Sequence, residues 1–307
     1  MEIKLDPKKL WGRLKKFDNY NRTDIILKHG LIEGVVDKNK ANYEASTKRL
    51  SYSMGLFYIF KYEGKSITLR FKYHHSNKDD FYMARSSIVD LQLLGKRKTD
   101  GIWIMLNRMH MTDKLFPNCA EQEYKITYNF TEDFDEFQLC LPYGSVYYYI
   151  FASTETPIKL IEPTTIQLGI LGSSITSLVG TPACASIPSQ LYRELKINSC
   201  TLAIPMTNSA IYDEILNTVK NTTIKWYLTD TMHMCQEALD RISKFNIKIA
   251  CINARVFPKY KFENTNYIFN FDNPLYYRDH LHLTTFGAYA FIQALIPLIK
   301  EDLKWKI

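Results

Sequence analysis

An apolar run that ends in a small-residue turn lies near the middle of this chain. Residues 164–182 have the sequence TTIQLGILGSSITSLVGTP, in which the run from Ile166 to Leu171 is followed by Gly172-Ser173-Ser174-Ile175-Thr176. A continuous apolar run of this length, bounded by such a turn, is typical of a buried parallel strand. Ligands of open parallel sheets bind outside the carboxyl ends of the strands. The run therefore predicts that a serine hydroxyl lies at a ligand-binding edge.

A second motif, Asp279-His280-Leu281-His282, lies close to the C-terminus, just before the segment that we predict to form the last helix. A serine after the first strand and a late Asp-x-x-His together supply a nucleophile, a general base and an acid that orients the base. Ser173 is the rival hydroxyl. His280 is the rival base, although it alternates with His282 and would face the other way along an extended segment. Asp279 has an alternative role as a helix cap, for which Thr284 or Thr285 is better placed.

From residue 164 onwards, predicted strands alternate with predicted helices. The strands are expected at 166–171, 201–204, 224–228 and 247–252. The helices are expected around 189–195, 209–219, 234–245 and 284–300. This alternation predicts an α/β unit with a parallel sheet and helices on both of its faces. Residues 255–278 contain no clear element, which predicts a long loop that carries part of the site.

The first half of the chain has a different pattern. Short runs rich in Tyr, Phe and Ile predict strands at 52–62, 66–73, 87–94, 101–106, 124–130, 136–141 and 146–151. Polar and apolar residues alternate almost strictly along 66–73, which indicates a strand with one buried face. Many short strands with almost no helical periodicity predict a β-sandwich. Residues 1–45 are polar and irregular, and Pro157 and Pro163 mark a linker, so we predict two domains at 1–160 and 161–307.

The composition argues against several other classes of protein. The 39 Lys and Arg residues outnumber the 32 Asp and Glu residues, but they are dispersed, so we do not expect nucleic-acid binding. No window approaches 18 consecutive apolar residues, and the N-terminus lacks an apolar signal region, so we expect neither a membrane span nor secretion. The six cysteines are scattered without C-x-x-C spacing. We therefore expect reduced thiols in a cytoplasmic protein, with no metal and no cofactor.

The order and spacing of these motifs resemble the SGNH, or GDSL-type, hydrolase superfamily. Gly172-Ser173-Ser174-Ile175-Thr176 is similar to the Gly-Thr-Ser-Ile-Thr of one subgroup, in which Cys184-Ala185-Ser186 also has a counterpart. That subgroup carries an N-terminal module of the GxDLY type, which the stretches at 86–91 and 137–143 resemble. The resemblance covers about residues 45–300. It implies a flavodoxin-like, three-layer parallel-sheet domain preceded by a jelly-roll-like β-sandwich.

The resemblance also implies roles for individual residues. Ser174 would be the nucleophile, and its backbone amide would be one oxyanion donor. His282 would accept the proton of Ser174 and later return one to the leaving group or activate water. Asp279 would hold the imidazole tautomer and stabilise the imidazolium.

The middle of the chain departs from the family pattern. The family's second block has a glycine whose amide binds the oxyanion, but 201–208 is TLAIPMTN and has no glycine. The backbone amide of Met206 would then have to serve. The family's third block supplies an asparagine side chain, which LTDTMHM at 228–234 lacks. His233 and Asn208 are the two candidates to replace it.

The resemblance implies the activity of a serine esterase. Its binding partner would be its substrate, a small-molecule or glycan ester, most plausibly an acetylated carbohydrate. An O-acyltransferase that uses the same acyl-enzyme is the first alternative. A non-catalytic binding or scaffold protein with the same fold is the second, because the middle blocks lack the usual donors. A phosphodiesterase or a metal hydrolase is disfavoured, since no cluster of His and Asp ligands is present in the sequence.

Overall fold

The computed structural model describes residues 1–12, 55–75, 91–108, 122–141, 145–170, 181–201, 226–230, 248–253, 267–270, 273–278 and 282–303. The helices predicted at 209–219 and 234–245 lie outside these ranges. The chain divides into two compact units. The antiparallel unit consists of Met1–Thr164 and Pro182–Cys184, and the parallel unit of Thr165–Thr181 and Ala185–Ile307. The domain limits at 160 and 161 remain a prediction.

The described part of the antiparallel unit consists mainly of strands. Those that the structure describes are β1 (Glu2–Lys4), β2 (Phe57–Lys61), β3 (Ser66–His75), β4 (Gln92–Arg97), β5 (Trp103–Arg108), β6 (Gln122–Asn129), β7 (Phe134–Cys140), β8 (Ser145–Thr154) and β9 (Lys159–Leu160). They form two antiparallel sheets, with the orders β1-β8-β3-β6 and β5-β4-β7-β2-β9.

The alternation predicted for 66–73 is present in β3. Ile67, Leu69 and Phe71 are fully buried. On the other face, the guanidinium of Arg70 lies 2.9 Å from a carboxylate oxygen of Glu2 on β1 and 2.9 Å from one of Glu123 on β6. It also lies 4.3 Å from the ring centre of Phe151 on β8. Arg70 therefore connects all four strands of its sheet.

The inner strands of the second sheet are buried on both faces. Phe57, Tyr58, Ile59 and Phe60 of β2 are each at most 1% exposed, so alternation is absent there. Two glutamines, Gln92 on β4 and Gln138 on β7, are fully buried in the same sheet. A buried amide costs free energy unless it is hydrogen-bonded, so each of these positions needs a local explanation.

The parallel unit contains β10 (Ile166–Ile170), α1 (Ile187–Leu195), β11 (Asn198–Thr201), β12 (Trp226–Asp230), β13 (Lys248–Asn253), β14 (Tyr267–Asn270) and α2 (Thr285–Leu303) among the described residues. Its strands pair in parallel in the order β11-β10-β12-β13-β14. The chain thus moves from β10 to one neighbour, β11, and then crosses to the other neighbour, β12.

One apolar core joins this sheet to both described helices. It contains Ile170 of β10, Leu191 of α1 and Phe291 of α2, together with Leu283, which precedes α2. Burying one such side chain contributes about 1.5–3 kcal/mol. Both described helices contribute to this one core.

Several predicted elements need correction. The strand expected at 201–204 begins earlier, because the buried polar residues Asn198 and Ser199 belong to it, and the structure describes it over Asn198–Thr201. The segment 255–278 was expected to hold no element, and this was wrong. It contains β14 and the 3-10 turn Pro274–Tyr276. The irregular N-terminus and the linker also supply strands, β1 and β9.

Candidate functional site

The strand order of the parallel unit determines where a ligand site forms. The last residue of β10, Ile170, is level with Thr201 on β11 and with Leu228 on β12. The remaining strands end at the same edge, since Asn253 is level with Asn270. The chain leaves β10 towards β11 and later returns to β12, so the order reverses between β10 and β12. Open parallel sheets bind ligands at the carboxyl ends of the strands beside such a reversal.

The predicted nucleophile follows the central strand of this reversal. Ser174 lies four positions after Ile170, and Ser173 three, and both are outside the described residues. The strand itself is well fixed, because Leu168 is 1% exposed and Ile170 is fully buried. The chain that continues from β10 therefore starts at a defined point of the edge.

The other oxyanion candidates follow the two strands that flank β10. Met206 and Asn208 come after β11, and His233 comes three positions after the end of β12. All three lie outside the described residues, so their roles remain predictions. Met206 lies five positions after Thr201, the last described residue of β11, whereas the strand expected at 201–204 would have ended two positions before it.

His282 is the predicted catalytic residue that the structure describes. Its side chain is half-buried, and its carbonyl oxygen accepts a hydrogen bond of 2.8 Å from the backbone amide of Arg278. The next residue, Leu283, is 1% exposed and forms an antiparallel bridge with Tyr277. Leu283 is thus part of the core, whereas the side chain of His282 is only half-buried.

Asp279 and His280 lie between the two bonded backbone positions and are outside the described residues. The bond from the amide of Arg278 to the carbonyl of His282 nevertheless fixes both ends of the segment to which they belong. Asp279 is thus attached directly to a fixed residue, Arg278. Its predicted contact with the imidazole remains a prediction.

Thr284 anchors this segment to the last helix. Its hydroxyl accepts a 3.0 Å hydrogen bond from the amide of Gly287, which is the third residue of α2, and donates one of 2.8 Å to the carbonyl of Leu275. Its own amide donates to the carbonyl of Tyr276 at 2.8 Å. The prediction that Thr284 or Thr285 caps the last helix is confirmed, with Thr284 as the cap.

Gly287 permits a close approach of two backbone segments. A Cβ atom built on Gly287 would lie 2.3 Å from the carbonyl oxygen of Tyr276 and 3.0 Å from its carbonyl carbon. No side chain fits there without movement of the backbone. Residues 274–278 and 282–287 therefore form one unit, which we call the His282 clamp. The sequence feature that could have indicated it is a glycine, Gly287, three residues after a threonine, Thr284.

The chain is long enough to bring His282 from the edge of the sheet to the reversal. β14 is three strand spacings from β10, which corresponds to about 14 Å. An extended chain covers roughly 3.3–3.6 Å per residue, so about five residues suffice, whereas His282 lies twelve positions after Asn270. Leu283, beside His282, belongs to the same core as Ile170 of β10. The topology thus allows His282 and Ser174 to meet at one edge.

Metal ligands and thiols are two further kinds of reactive group to consider in this unit. Within the described ranges, no group of three His, Cys, Asp or Glu side chains is arranged to hold a metal ion. Cys200 on β11 is a free thiol that is fully buried, and burial raises its pKa to about 12. A thiol in that state is a poor nucleophile. No helix of the described part of the chain combines the length and apolar character needed to cross a membrane.

Comparisons with known proteins identify the fold. Neither a protein-family model nor a curated protein sequence matches the chain. A protein from Bacteroides ovatus ATCC 8483 described as a GDSL-like lipase has a similar structure, with a TM-score of 0.64 and 16% sequence identity over 100% of this chain and 99% of its own. A salicylyl-acyltransferase from a tetracycline biosynthetic pathway reaches a TM-score of 0.54 and 10% identity over 82% of this chain and 84% of its own.

A family two carbohydrate esterase from Cellvibrio japonicus has a TM-score of 0.44 and 10% identity over 81% of this chain and 89% of its own. The first two similarities show that this chain has the fold of a GDSL-like lipase. The resemblance to GDSL-type proteins is thereby confirmed at the level of fold. The GxDLY-type subgroup remains a prediction.

Proposed function

We propose that this protein is a serine ester hydrolase that acts through an acyl-enzyme on Ser174. The observation that carries the proposal is the common edge of the parallel sheet. The segment with Ser174 begins there, at the strand beside the reversal, and the His282 clamp holds the predicted base on a segment that is long enough to reach the same edge. The similarity in fold to a GDSL-like lipase supports this assignment.

The proposed reaction has two steps. His282 removes the proton of the Ser174 hydroxyl as its oxygen attacks the acyl carbon, and the alcohol then leaves with that proton. His282 next activates water, which releases the acid and restores Ser174. Asp279 holds the imidazole in the required tautomer and stabilises the imidazolium. General acid–base assistance of this kind contributes about 10²–10⁴-fold.

The oxyanion of each tetrahedral intermediate would be bound by backbone and side-chain donors. We assign one donor to the amide of Ser174 and a second to the amide of Met206, with Asn208 or His233 as a side-chain donor. Loss of one such donor typically costs about 10²–10³ in turnover. A site with one fewer donor than its relatives would therefore be slower rather than inactive.

For the substrate, we propose an O-acylated carbohydrate or a similar polar ester, and acetyl as the acyl group. We also propose that the two antiparallel sheets pack as a β-sandwich in a domain of residues 1–160. Residues 161–307 would then form a three-layer catalytic domain. An O-acyltransferase is the second candidate, because a salicylyl-acyltransferase has a similar fold. In that case a sugar or another alcohol replaces water in the second step.

The test combines hydrolysis of p-nitrophenyl acetate with labelling by a fluorophosphonate probe. We expect wild-type protein to be active and labelled, Ser174→Ala to lose both properties, and His282→Ala and Asp279→Asn to lose most of the turnover. Ser173→Ala and His280→Ala are the matched controls, and both should retain activity. Faster product release with added alcohol, accompanied by formation of a new ester, would identify the transferase.

A folded wild-type protein that neither hydrolyses the ester nor reacts with the probe would contradict the proposal. It would favour a binding or scaffold protein with this fold. Full activity in Ser174→Ala, combined with loss of activity in Ser173→Ala, would instead identify Ser173 as the nucleophile.

A further inference from the structure

A buried glutamine of the antiparallel unit holds a backbone amide far along the chain. Gln92 begins β4, an inner strand between β5 and β7, and is fully buried. Its side-chain oxygen accepts a hydrogen bond of 2.7 Å from the backbone amide of Cys184. Pro182–Cys184 groups with the antiparallel unit, although the residues before and after it group with the parallel unit.

The surroundings of Gln92 indicate that this bond is the reason for a polar residue there. Leu93 and Leu94, the next two residues of β4, are buried and apolar. Among the described residues, the side-chain nitrogen of Gln92 has no hydrogen-bond partner. A buried amide that keeps one of its polar atoms unbonded is costly, so a leucine would be the favoured residue if the Cys184 amide needed no acceptor.

The bonded amide belongs to the connection between β10 and α1, which also contains Ser174. Cys184 lies in the 3-10 turn Ala183–Ala185, just before α1. The carbonyl of Ala185 accepts a 2.6 Å hydrogen bond from the side chain of Gln190 on α1. The C-terminal end of the connection is therefore held at two successive residues, and Gln92 provides the first of these contacts.

We propose that Gln92 is a positioning residue for the connection that carries Ser174. This inference rests on the proposed function, since it deepens the account of the same site. Gln92 touches no reacting atom and acts only through the backbone of Cys184. Without its acceptor, the connection is released at Cys184 and Ser174 is less well placed for attack. A misplacement of about 1 Å at a reacting group can cost 10²-fold in rate.

The first measurement is a comparison of kcat and KM with p-nitrophenyl acetate at pH 6. Gln92→Met keeps the length of the side chain but has no comparable acceptor, and we expect kcat to fall about 10- to 100-fold while KM changes less than twofold. Gln92→Glu should recover most of the loss, because burial keeps its carboxyl group neutral and its carbonyl oxygen still accepts. Leu93→Val is the matched control on the same strand, where adjacent side chains face opposite sides.

The second measurement is hydrogen–deuterium exchange of peptides that cover 171–186. One lost hydrogen bond predicts roughly fivefold faster exchange at Cys184 and its neighbours in Gln92→Met, with wild-type rates in Leu93→Val. This readout needs no enzymatic activity. An inactive wild type would therefore refute the proposed esterase while the exchange still decides the role of Gln92.

Unchanged exchange over 171–186 in a folded Gln92→Met protein would overturn the inference, and so would a kcat loss that Gln92→Glu does not reduce. If Gln92→Met does not fold, Gln92→Leu replaces it in both measurements. Failure of both variants to fold would also overturn the inference, because it would assign Gln92 to the folding of the antiparallel unit.

Discussion

Gly287→Ala is the most direct test of the His282 clamp. Gly287 is the third residue of α2, and its missing side chain leaves room for the carbonyl of Tyr276. That carbonyl accepts the hydrogen bond from the amide of Thr284, two residues after His282. A methyl group at Gly287 therefore presses on the backbone that holds the predicted base, although the substitution removes no polar group.

The size of the effect follows from the distances. The new Cβ would lie 2.3 Å from the Tyr276 oxygen and 3.0 Å from its carbonyl carbon and Cα, whereas ordinary contacts begin near 3.4 Å. The two backbone segments would have to separate by about 1 Å, because no flexible side chain is available to move. Overpacking costs about 1–3 kcal/mol. The better helix propensity of alanine offsets about 0.5–1 kcal/mol of this, so we expect a net loss of about 1–2 kcal/mol.

The assay combines thermal unfolding with ester hydrolysis. A loss of this size lowers Tm by about 2–4 °C per kcal/mol in a unit of 150–250 residues. A 1 Å shift of the clamp should lower kcat about 10- to 100-fold at a temperature where the protein is folded. Thr285→Ala changes an exposed side chain in the same helical turn and should alter stability by less than about 0.5 kcal/mol.

Wild-type Tm and kcat in Gly287→Ala would refute the clamp, since the two segments would then tolerate separation. A lower Tm with unchanged kcat would leave the close approach in place but would show that His282 does not depend on it.

Three further predictions concern other parts of the molecule. Thr284→Val should cost about 1 kcal/mol in urea unfolding because it removes the helix cap, and Thr284→Ser should not; equal losses would exclude a role for the hydroxyl. Arg70 holds the pKa of Glu2 below its ordinary value, and hydrogen bonds from Tyr149 and Arg70 do the same for Glu123. This stabilisation is present above the ordinary carboxyl pKa and is lost as the pH falls through the lowered values, so Arg70→Met should destabilise the protein at pH 7 and much less at pH 2–3. A deficit independent of pH would contradict this. Cys200, whose pKa burial raises to about 12, should react with a disulfide reagent at pH 8 only after unfolding, as peptide mapping would show; rapid labelling of the native protein would exclude the buried position.

The parallel sheet was largely predictable because its central strands are apolar. The run at 166–171 gave β10 to within one residue, and those at 224–228 and 247–252 gave β12 and β13 to within two. Strands buried on both faces consist of continuous apolar runs, and that signal is local. The alternation in β3 is also a local signal, because a strand with one buried face alternates polar and apolar residues along its own sequence.

The strands that were missed carry little local signal. β11 is buried but polar, with Asn198 and Ser199 at most 2% exposed, so hydrophobicity pointed to the apolar residues after it. β14, Tyr267–Asn270, has three residues of high strand propensity, but so short a run does not define a strand without its pairing with β13. Such strands form because they pair with neighbouring strands. The pattern of apolar residues within one segment carries no information about which strands will lie beside it.

The candidate site shows the same division between local and long-range information. The cap at Thr284 was predictable, because capping needs only a hydroxyl and the next helical turn. The contact of Gly287 with Tyr276 and the bond of Gln92 to Cys184 join segments that meet only after folding. The first was marked by a glycine without a stated role, and the second by nothing in the sequence.

The strand order also limits how the unusual middle blocks can work. β11 and β12 lie on opposite sides of β10, the strand that precedes Ser174. In the sequence, Met206 and Asn208 follow β11, and His233 follows β12. A donor pair of Met206 and Asn208 would bind the oxyanion from one side only, whereas Met206 and His233 would bracket it. Donors on two sides fix a developing charge better than two on one side, because preorganised dipoles must converge on the position of the oxyanion. On the strand order alone, we therefore predict that His233, and not Asn208, replaces the missing asparagine.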